Sequence, residues 1–459
     1  MKGIIQNIYV KSPVVIQNAM ISIYGYYWKN RRLGAEFKKA LYEFKSRETF
    51  SIQEWEQYQT EHLRILLIHA YKTVPFYKSK YSTAGFSLKD FENFKLSDLS
   101  SLPYLEKSEL RQLGKSTLLS SKKSKGKFYS SSGSTGTPIS VYFSKEFHQY
   151  WNAAYEVRVR NWAGVNYKMA RGMIGGRRVL PDANVNAPFF RYNAAEKQTY
   201  FSAYHLSEKT AQNYVDGLVK HKVEYLVGYA MSIYILADFI LKLKINAPKL
   251  QAVLTSSEKL TPTMRAVISK AFQCKVFDAY SGVEACGLIS ENTKNELLFS
   301  PDTGIMEVID ENGIAVKKGE TGEVIATGLI NFDQPLIRYR IGDRVKLSKN
   351  QNGTMLRMDE IKGRVEDVII GTDGQKMVRF HGIFIDVENL KAAQVIQNTL
   401  NTIQINLIVE SGFEKENELI ISKRLKSQLG EITISFKYLD EIPKGKNGKF
   451  KAVISKIKN

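Results

Sequence analysis

A chain of 459 residues has room for about two to four domains and a large buried core. Its apolar share (43%) and charged share (24%) exclude a disordered or fibrous chain. The net charge of +20 favours nucleic acid, anionic lipid or anionic small molecules as partners. No helix-turn-helix, zinc-finger or RNA-binding signature is present, so nucleic acid is not expected. Cys274 and Cys286 provide neither a disulfide framework nor metal-ligand spacing, and read as reduced thiols of a cytoplasmic protein.

The chain opens with no pattern of a secretory signal, because Gln6, Asn7 and Lys11 break the early apolar residues. Residues 12–28 are weakly polar, yet too short and too polar to cross a bilayer. Lys29, Arg31 and Arg32 follow them. A packed N-terminal helix is the main expectation. A peripheral contact with an anionic membrane, on its inner face, is the alternative. Residues 128–138 are then the most informative stretch. Ser131, Ser132, Gly133, Ser134, Thr135 and Gly136 make a loop rich in N–H and hydroxyl donors, suited to wrapping a polyphosphate. It is not a P-loop, because Thr137-Pro138 stand where Lys-Ser/Thr would be.

The middle of the chain alternates strand and helix. Residues 223–227 read as a buried strand ending at Gly228, and 230–243 as a helix. Upstream, Ala211, Tyr214, Val215, Leu218 and Val219 mark a helix face turned to the core. Residues 252–254 form a second strand, leading to Ser256, Ser257 and Glu258. Thr261-Pro262 then caps a helix whose face carries Met264, Val267, Ile268 and Ala271. A third strand at 275–277 ends near Tyr280. Strand–helix–strand–helix–strand implies parallel pairing with right-handed crossovers. Ligands of open α/β sheets bind at the carboxyl ends of such strands. Gly228-Tyr229, Ser257-Glu258 and Tyr280 to Glu284 are therefore expected to line one crevice.

Beyond Glu291 short strands and tight turns take over, at 304–310, at Asn312-Gly313 and at 322–327. Gly342-Asp343 is expected to end a strand, where a carboxylate can grip ribose hydroxyls. The polar loop 349–353 opens a candidate hinge region. Residues from about 362 onward read as a small α+β unit ending in a basic tail, with Gly448 presenting Lys449.

In this order the segments resemble the adenylate-forming superfamily of acyl-CoA synthetases and peptide-synthetase adenylation domains. They are a Ser/Thr/Gly loop, a Ser-Glu strand end, Tyr-x-x-x-Glu, Tyr-x-x-Gly-Asp, Gly-Arg-x-Glu-Asp and a terminal Gly-Lys. The phenylacetate–CoA ligase branch and its CapK-like relatives of capsular polysaccharide synthesis are most similar, notably over residues 70–77. The resemblance implies a mixed α/β and α+β fold. A large ATP- and carboxylate-binding domain would span 1–361, with parallel sheets and a β-rich subdomain. A small mobile domain would span 362–459.

The resemblance also implies roles. Residues 131–136 match the phosphate loop, and Ser257, Glu258 and Tyr280 the nucleotide site. Glu284 matches the magnesium-associated acid and Asp343 the ribose-binding one. Arg364 matches an arginine at the domain junction, Glu366 the hinge, and Lys449 the catalytic lysine. Tyr142, Phe143, Gly228, Tyr229 and Arg177-Arg178 are candidates for the acid pocket or its mouth. ATP, magnesium and a carboxylic acid are the implied reactants. The acceptor is CoA, or an amine or hydroxyl of a sugar or polysaccharide precursor. A non-catalytic nucleotide-binding or scaffold protein is the reading from another class. Two departures stand out: Val283 replaces a hydroxyl residue, and residues 371–375 differ from the usual pattern near the CoA tunnel.

Overall fold

The computed structural model describes residues 8–130, 139–176, 179–180, 187–203, 205–362, 369–374, 376–377, 380–384, 387–442 and 452–457. The phosphate loop 131–136, Arg177-Arg178, Arg364, Glu366 and Lys449 lie outside them.

A hairpin, β1 (Gly126–Ser130) and β2 (Ser140–Ser144), brackets the Ser/Thr/Gly loop. Among the described residues twelve strands then form a single sheet. They are β3 (Arg171–Gly175), β4 (Phe190–Asn193), β5 (Gln198–Ser202), β6 (Tyr225–Tyr229), β7 (Ala252–Ser256) and β8 (Lys275–Tyr280). There follow β9 (Ile289–Glu291), β10 (Leu297–Phe299), β11 (Gly304–Ile309), β12 (Thr321–Gly328), β13 (Tyr339–Leu347) and β14 (Arg357–Lys362). The order is β11-β12-β13-β14-β10-β9-β8-β7-β6-β3-β5-β4. Strands β5, β3, β6, β7 and β8 run parallel, as the alternating pattern predicts for the last three. β9 pairs antiparallel with β8, and every pairing from there to β11 is antiparallel. The β-rich part is thus continuous with the parallel part, a union that strand periodicity does not reveal.

Helices α1 (Val14–Arg32), α2 (Ala35–Ser46), α3 (Ile52–Thr73) and α4 (Lys145–Tyr155) precede the parallel strands. Crossovers are made by α5 (Ala211–Lys220), α6 (Ala230–Lys242) and α7 (Pro262–Phe272). In α5, Ala211, Tyr214, Val215 and Leu218 are buried as expected, but Val219 is exposed. It sits one residue past the contact arc, where the helix has turned about 100° onward. The strand expected at 223–227 begins at Tyr225 instead. Lys222 adopts a left-handed conformation (φ 48°), and Val223 N–H donates to Leu218 O at 2.9 Å, so the helix-ending turn consumes these residues. Thr261 caps α7 as its sequence predicts, its hydroxyl accepting from Met264 N–H at 3.2 Å.

The loop 349–353, expected to open a hinge region, lies before the last strand of the large sheet. It joins β13 to β14 inside the large sheet, and Gln351 staples it by two hydrogen bonds to the Arg357 backbone, at 2.7 and 2.9 Å. β14 ends at Lys362, paired with Arg344. From Ile369 on, a separate apolar cluster includes Val395, Ile405, Leu407, Ile421 and Leu425. It lies between α8 (Lys415–Leu429) and a four-stranded sheet. That sheet orders Thr433–Tyr438, Thr402–Val409, Leu390–Thr399 and Val453–Ser455.

A buried ion triad ties the helical layer to the large sheet. The Asp302 carboxylate, between β10 and β11, accepts from Arg47 at 3.1 Å and Arg158 at 2.8 Å. Removing it leaves the Arg47 guanidinium without its anion and Arg158 with only the half-exposed Glu48 at 3.2 Å. Asp302→Ala is expected to lower stability by about 3–5 kcal/mol in denaturant unfolding; a loss near zero would mean that the triad is solvated.

Candidate active site

The crevice is built at the carboxyl ends of β6, β7 and β8. At the end of β6, a Cβ on Gly228 would meet Ile174 O at 2.0 Å, so only glycine lets β3 and β6 close there. Tyr229 is the residue that precedes α6. After β7, Ser257 holds a left-handed backbone (φ 69°), a conformation that costs a non-glycine residue energy and recurs at functional sites. Glu258 turns back to α6, its carboxylate accepting from Met231 N–H at 2.9 Å. A negative charge at a helix N-terminus is stabilised there, which gives Glu258 a structural role beside any nucleotide contact.

Tyr280 ends β8, and its hydroxyl donates to Asp343 Oδ2 at 2.8 Å. Burial, with the Asp343 charge next, holds the phenol pKa far above its usual value, so it stays a donor. Asp343 does not end a strand as expected; it lies inside β13. The register with β12 passes from Glu323↔Arg344 to Ile325↔Arg340, leaving Ile341, Gly342 and Asp343 opposite Val324 alone. Gly342 takes a positive φ of 81° in this bulge. A bulge re-aims side chains, and here it brings Asp343 to Tyr280.

Glu284 is buried in the loop after β8, where the Tyr339 hydroxyl reaches its Oε1 at 3.5 Å. Burial raises its pKa, while its own backbone N–H and Lys107 pull the other way. A Cβ on Gly282 would stand 2.0 Å from Glu284 Oε2, so the displaced glycine is what lets this carboxylate fold back. Val283 packs against the neighbouring apolar cluster, which explains an apolar residue at that position. Lys107 belongs to the site but carries no motif that sequence reasoning could use, and Tyr339, the tyrosine of the Tyr-x-x-Gly-Asp segment, meets Glu284 through a contact that the motif does not foretell. Tyr142 and Phe143, expected near the acid pocket, are buried in the hairpin layer. Tyr142 donates to Ser124 O at 2.8 Å, so its polar group serves the fold.

Residues 369–456 match the CapK C-terminal domain family. Protein CapK of Staphylococcus aureus is 28% identical over 98% of this chain and 99% of its own length. The chain is a CapK homologue. It is also homologous to phenylacetate–coenzyme A ligases. The one from Escherichia coli (strain K12) is 26% identical over 70% of this chain and 74% of that protein. Its fold is that of the adenylate-forming ligases. A structure of 2-hydroxyisobutyryl-CoA ligase with 2-HIB-AMP and CoA, in the thioesterification state, superposes with a TM-score of 0.57 at 18% identity. It covers 89% of this chain and 91% of its own.

Beneath the crevice Asp278 is half-buried on β8 and accepts from Thr255 Oγ1 at 3.0 Å. Burial pushes its carboxyl from 3.8 to about 7. The folded state therefore binds this proton more tightly than the unfolded chain. Its stabilising effect is complete below about pH 4 and is lost as pH rises through 7. Asp278→Asn keeps the accepting oxygen and removes the titration. Its melting temperature is expected to exceed wild type at pH 8 and to lose the decline between pH 4 and 7; parallel profiles for the two proteins would contradict this.

Proposed function

We propose that the protein activates a carboxylic acid with ATP, forming an acyl-adenylate and pyrophosphate, and passes the acyl group to a second nucleophile. The observation that carries this is the Tyr280–Asp343 pair: residues 63 apart meet at the carboxyl ends of the parallel strands, beside the buried acid Glu284. An aromatic ring next to a carboxylate suits adenine and ribose hydroxyls. AMP is a good leaving group where carboxylate oxygen is a poor one, and the charge growing on the phosphate calls for held donors and cations. The loop 131–136 supplies donors of this kind, and Arg364 and Lys449 the cations.

Magnesium fits Glu284. A buried carboxylate whose side-chain partner, Tyr339, stands at a long 3.5 Å can complete the shell of an ion that otherwise holds phosphates and water. Bound there, the ion would offset phosphate charge. We take residues 362–459 as the unit that delivers Lys449, with Glu366 as its pivot. The acceptor we favour is an amine or hydroxyl of a sugar in surface-polysaccharide synthesis, because the likeness to CapK is end to end. CoA is the second reading, supported by the phenylacetate–coenzyme A ligase relatives.

Pyrophosphate release from ATP, tested across aryl, fatty, amino and hydroxy acids with and without CoA, is the direct assay. Release dependent on one acid identifies the substrate, and added CoA dependence the acceptor. Binding of ATP without release under any acid would favour the non-catalytic reading. Lys449→Ala is expected to cut acid-dependent release on the order of 100-fold or more with the melting temperature unchanged; near-normal release would sink the assignment. Asp343→Asn is expected to weaken ATP binding roughly 10- to 100-fold by calorimetry, through loss of a charged hydrogen-bond acceptor.

A further inference from the structure

Helix α1 departs from the usual amphipathic rule: the side that meets the protein is largely polar, with Ile21 and Trp28 its inward apolar residues, and a second apolar face meets water. The inner face carries Gln17, Asn18, Ser22, Gly25, Lys29 and Arg32, at spacings of three and four along most of its length. Buried Gln17 accepts from Arg191 Nε. Asn18 Oδ1 accepts from Tyr192 N–H at 2.9 Å, and Ser22 Oγ from Ala194 N–H at 3.0 Å. Lys29 donates to Ala195 O at 3.0 Å, and Arg32 pairs with Glu196. A Cβ on Gly25 would stand 2.2 Å from Asn193 Oδ1, so the helix is seated tightly by this face.

The outer face bears Val15, Ile16, Ile23, Tyr24, Tyr26 and Tyr27, all exposed, with Val15 at 78%, Ile23 at 74% and Tyr26 at 64%. Scattered apolar residues on a surface need no explanation, but a continuous stripe of this kind does. Its length, roughly 28 Å for 19 residues, and its tyrosines suit the boundary between lipid headgroups and acyl chains. Among the described residues no helix is long and apolar enough to cross a membrane, so such a helix would lie on the surface. Charge selects the surface. The first 35 residues contain no Asp or Glu, and of their five Lys and Arg the last three, Lys29, Arg31 and Arg32, are engaged on the protein side. Lys11 is exposed just before the helix, and Lys127 Nζ, from the adjoining hairpin, stands 5.9 Å from the Tyr27 ring.

We propose that α1 docks the protein peripherally on an anionic lipid bilayer, its Ile/Tyr stripe entering the interface and Lys11 and Lys127 meeting the headgroups. This inference is independent of the adenylation reading, because vesicle binding is measured without ATP or acid. The test is co-sedimentation of the full chain with vesicles of phosphatidylcholine alone and of phosphatidylcholine mixed with phosphatidylglycerol. Binding to the mixed vesicles, falling as salt rises, is expected. The double variant Ile23→Ser, Tyr26→Ser should bind at least about tenfold more weakly at unchanged melting temperature, since both side chains are solvent-exposed. Lys127→Gln should weaken binding about fivefold, an effect abolished in high salt. Three outcomes overturn the proposal: no binding to mixed vesicles, equal binding by the double variant, or a wild-type dimer that this variant converts to a monomer, which would assign the stripe to a second copy.

Discussion

The candidate site depends on the curl of one continuous sheet. Strands β8 and β13 are separated by β9, β10 and β14, four strand spacings apart, which is about 19 Å in a flat sheet. A tyrosine hydroxyl nonetheless meets a carboxylate across that gap at 2.8 Å. The antiparallel half must therefore bend back over the end of the parallel half. An apolar filling holds the antiparallel half together: Ile289, Phe299, Val308, Val324, Val345, Leu347 and Met358 pack against one another. Burial of this filling is a non-directional force that adds to the intrinsic twist of the strands. Register irregularities in both pairings of β13 give the chain the local freedom to follow.

From that constraint the chemistry follows. The parallel half contributes strand ends, where the backbone turns away and leaves side chains such as Ser257 and Tyr280 at the rim. The antiparallel half contributes Asp343 from within a strand, aimed by the bulge at Gly342. The loop between the halves contributes Glu284, folded back over a glycine and roofed by Tyr339. Polar groups in this region are mostly engaged. Tyr280 holds Asp343, Met231 N–H holds Glu258, and Lys259 ties the loop after β7 to Glu360 on β14 at 2.6 Å. A site whose parts restrain each other before a ligand arrives loses less on binding, which is the advantage of preorganisation.

Helix α1 contrasts with this region. Its polar face is matched to the edge strand β4 and the turn that follows it, where open backbone N–H groups at Tyr192 and Ala194 would otherwise lack partners. Covering that edge sets the orientation of the helix, and the apolar stripe is turned outward as a result. In the sequence, residues 12–28 read only as a weakly polar stretch that packs as a helix; which face lies inside is set by the edge it covers.

The sequence alone determined a good deal. The order of strands and helices through residues 225–280, the Thr261 cap, the core positions of α7 and those of α5 other than Val219, and the grouping of Gly228, Ser257, Tyr280 and Glu284 at strand ends were legible because they depend on local periodicity and turn chemistry. So was the likeness to adenylate-forming enzymes, carried by short motifs in order. Tertiary structure decided the rest: that Asp343 lies mid-strand, that the 349–353 loop is stapled into the large sheet, that Tyr142 serves the hairpin, and that Lys107 and Tyr339 join Glu284. Apart from the Gln351–Arg357 staple, which joins residues six apart, these are set by pairing between residues well separated in the chain. Such contacts depend on closing long loops and filling a shared core, and neither leaves a mark on the local pattern.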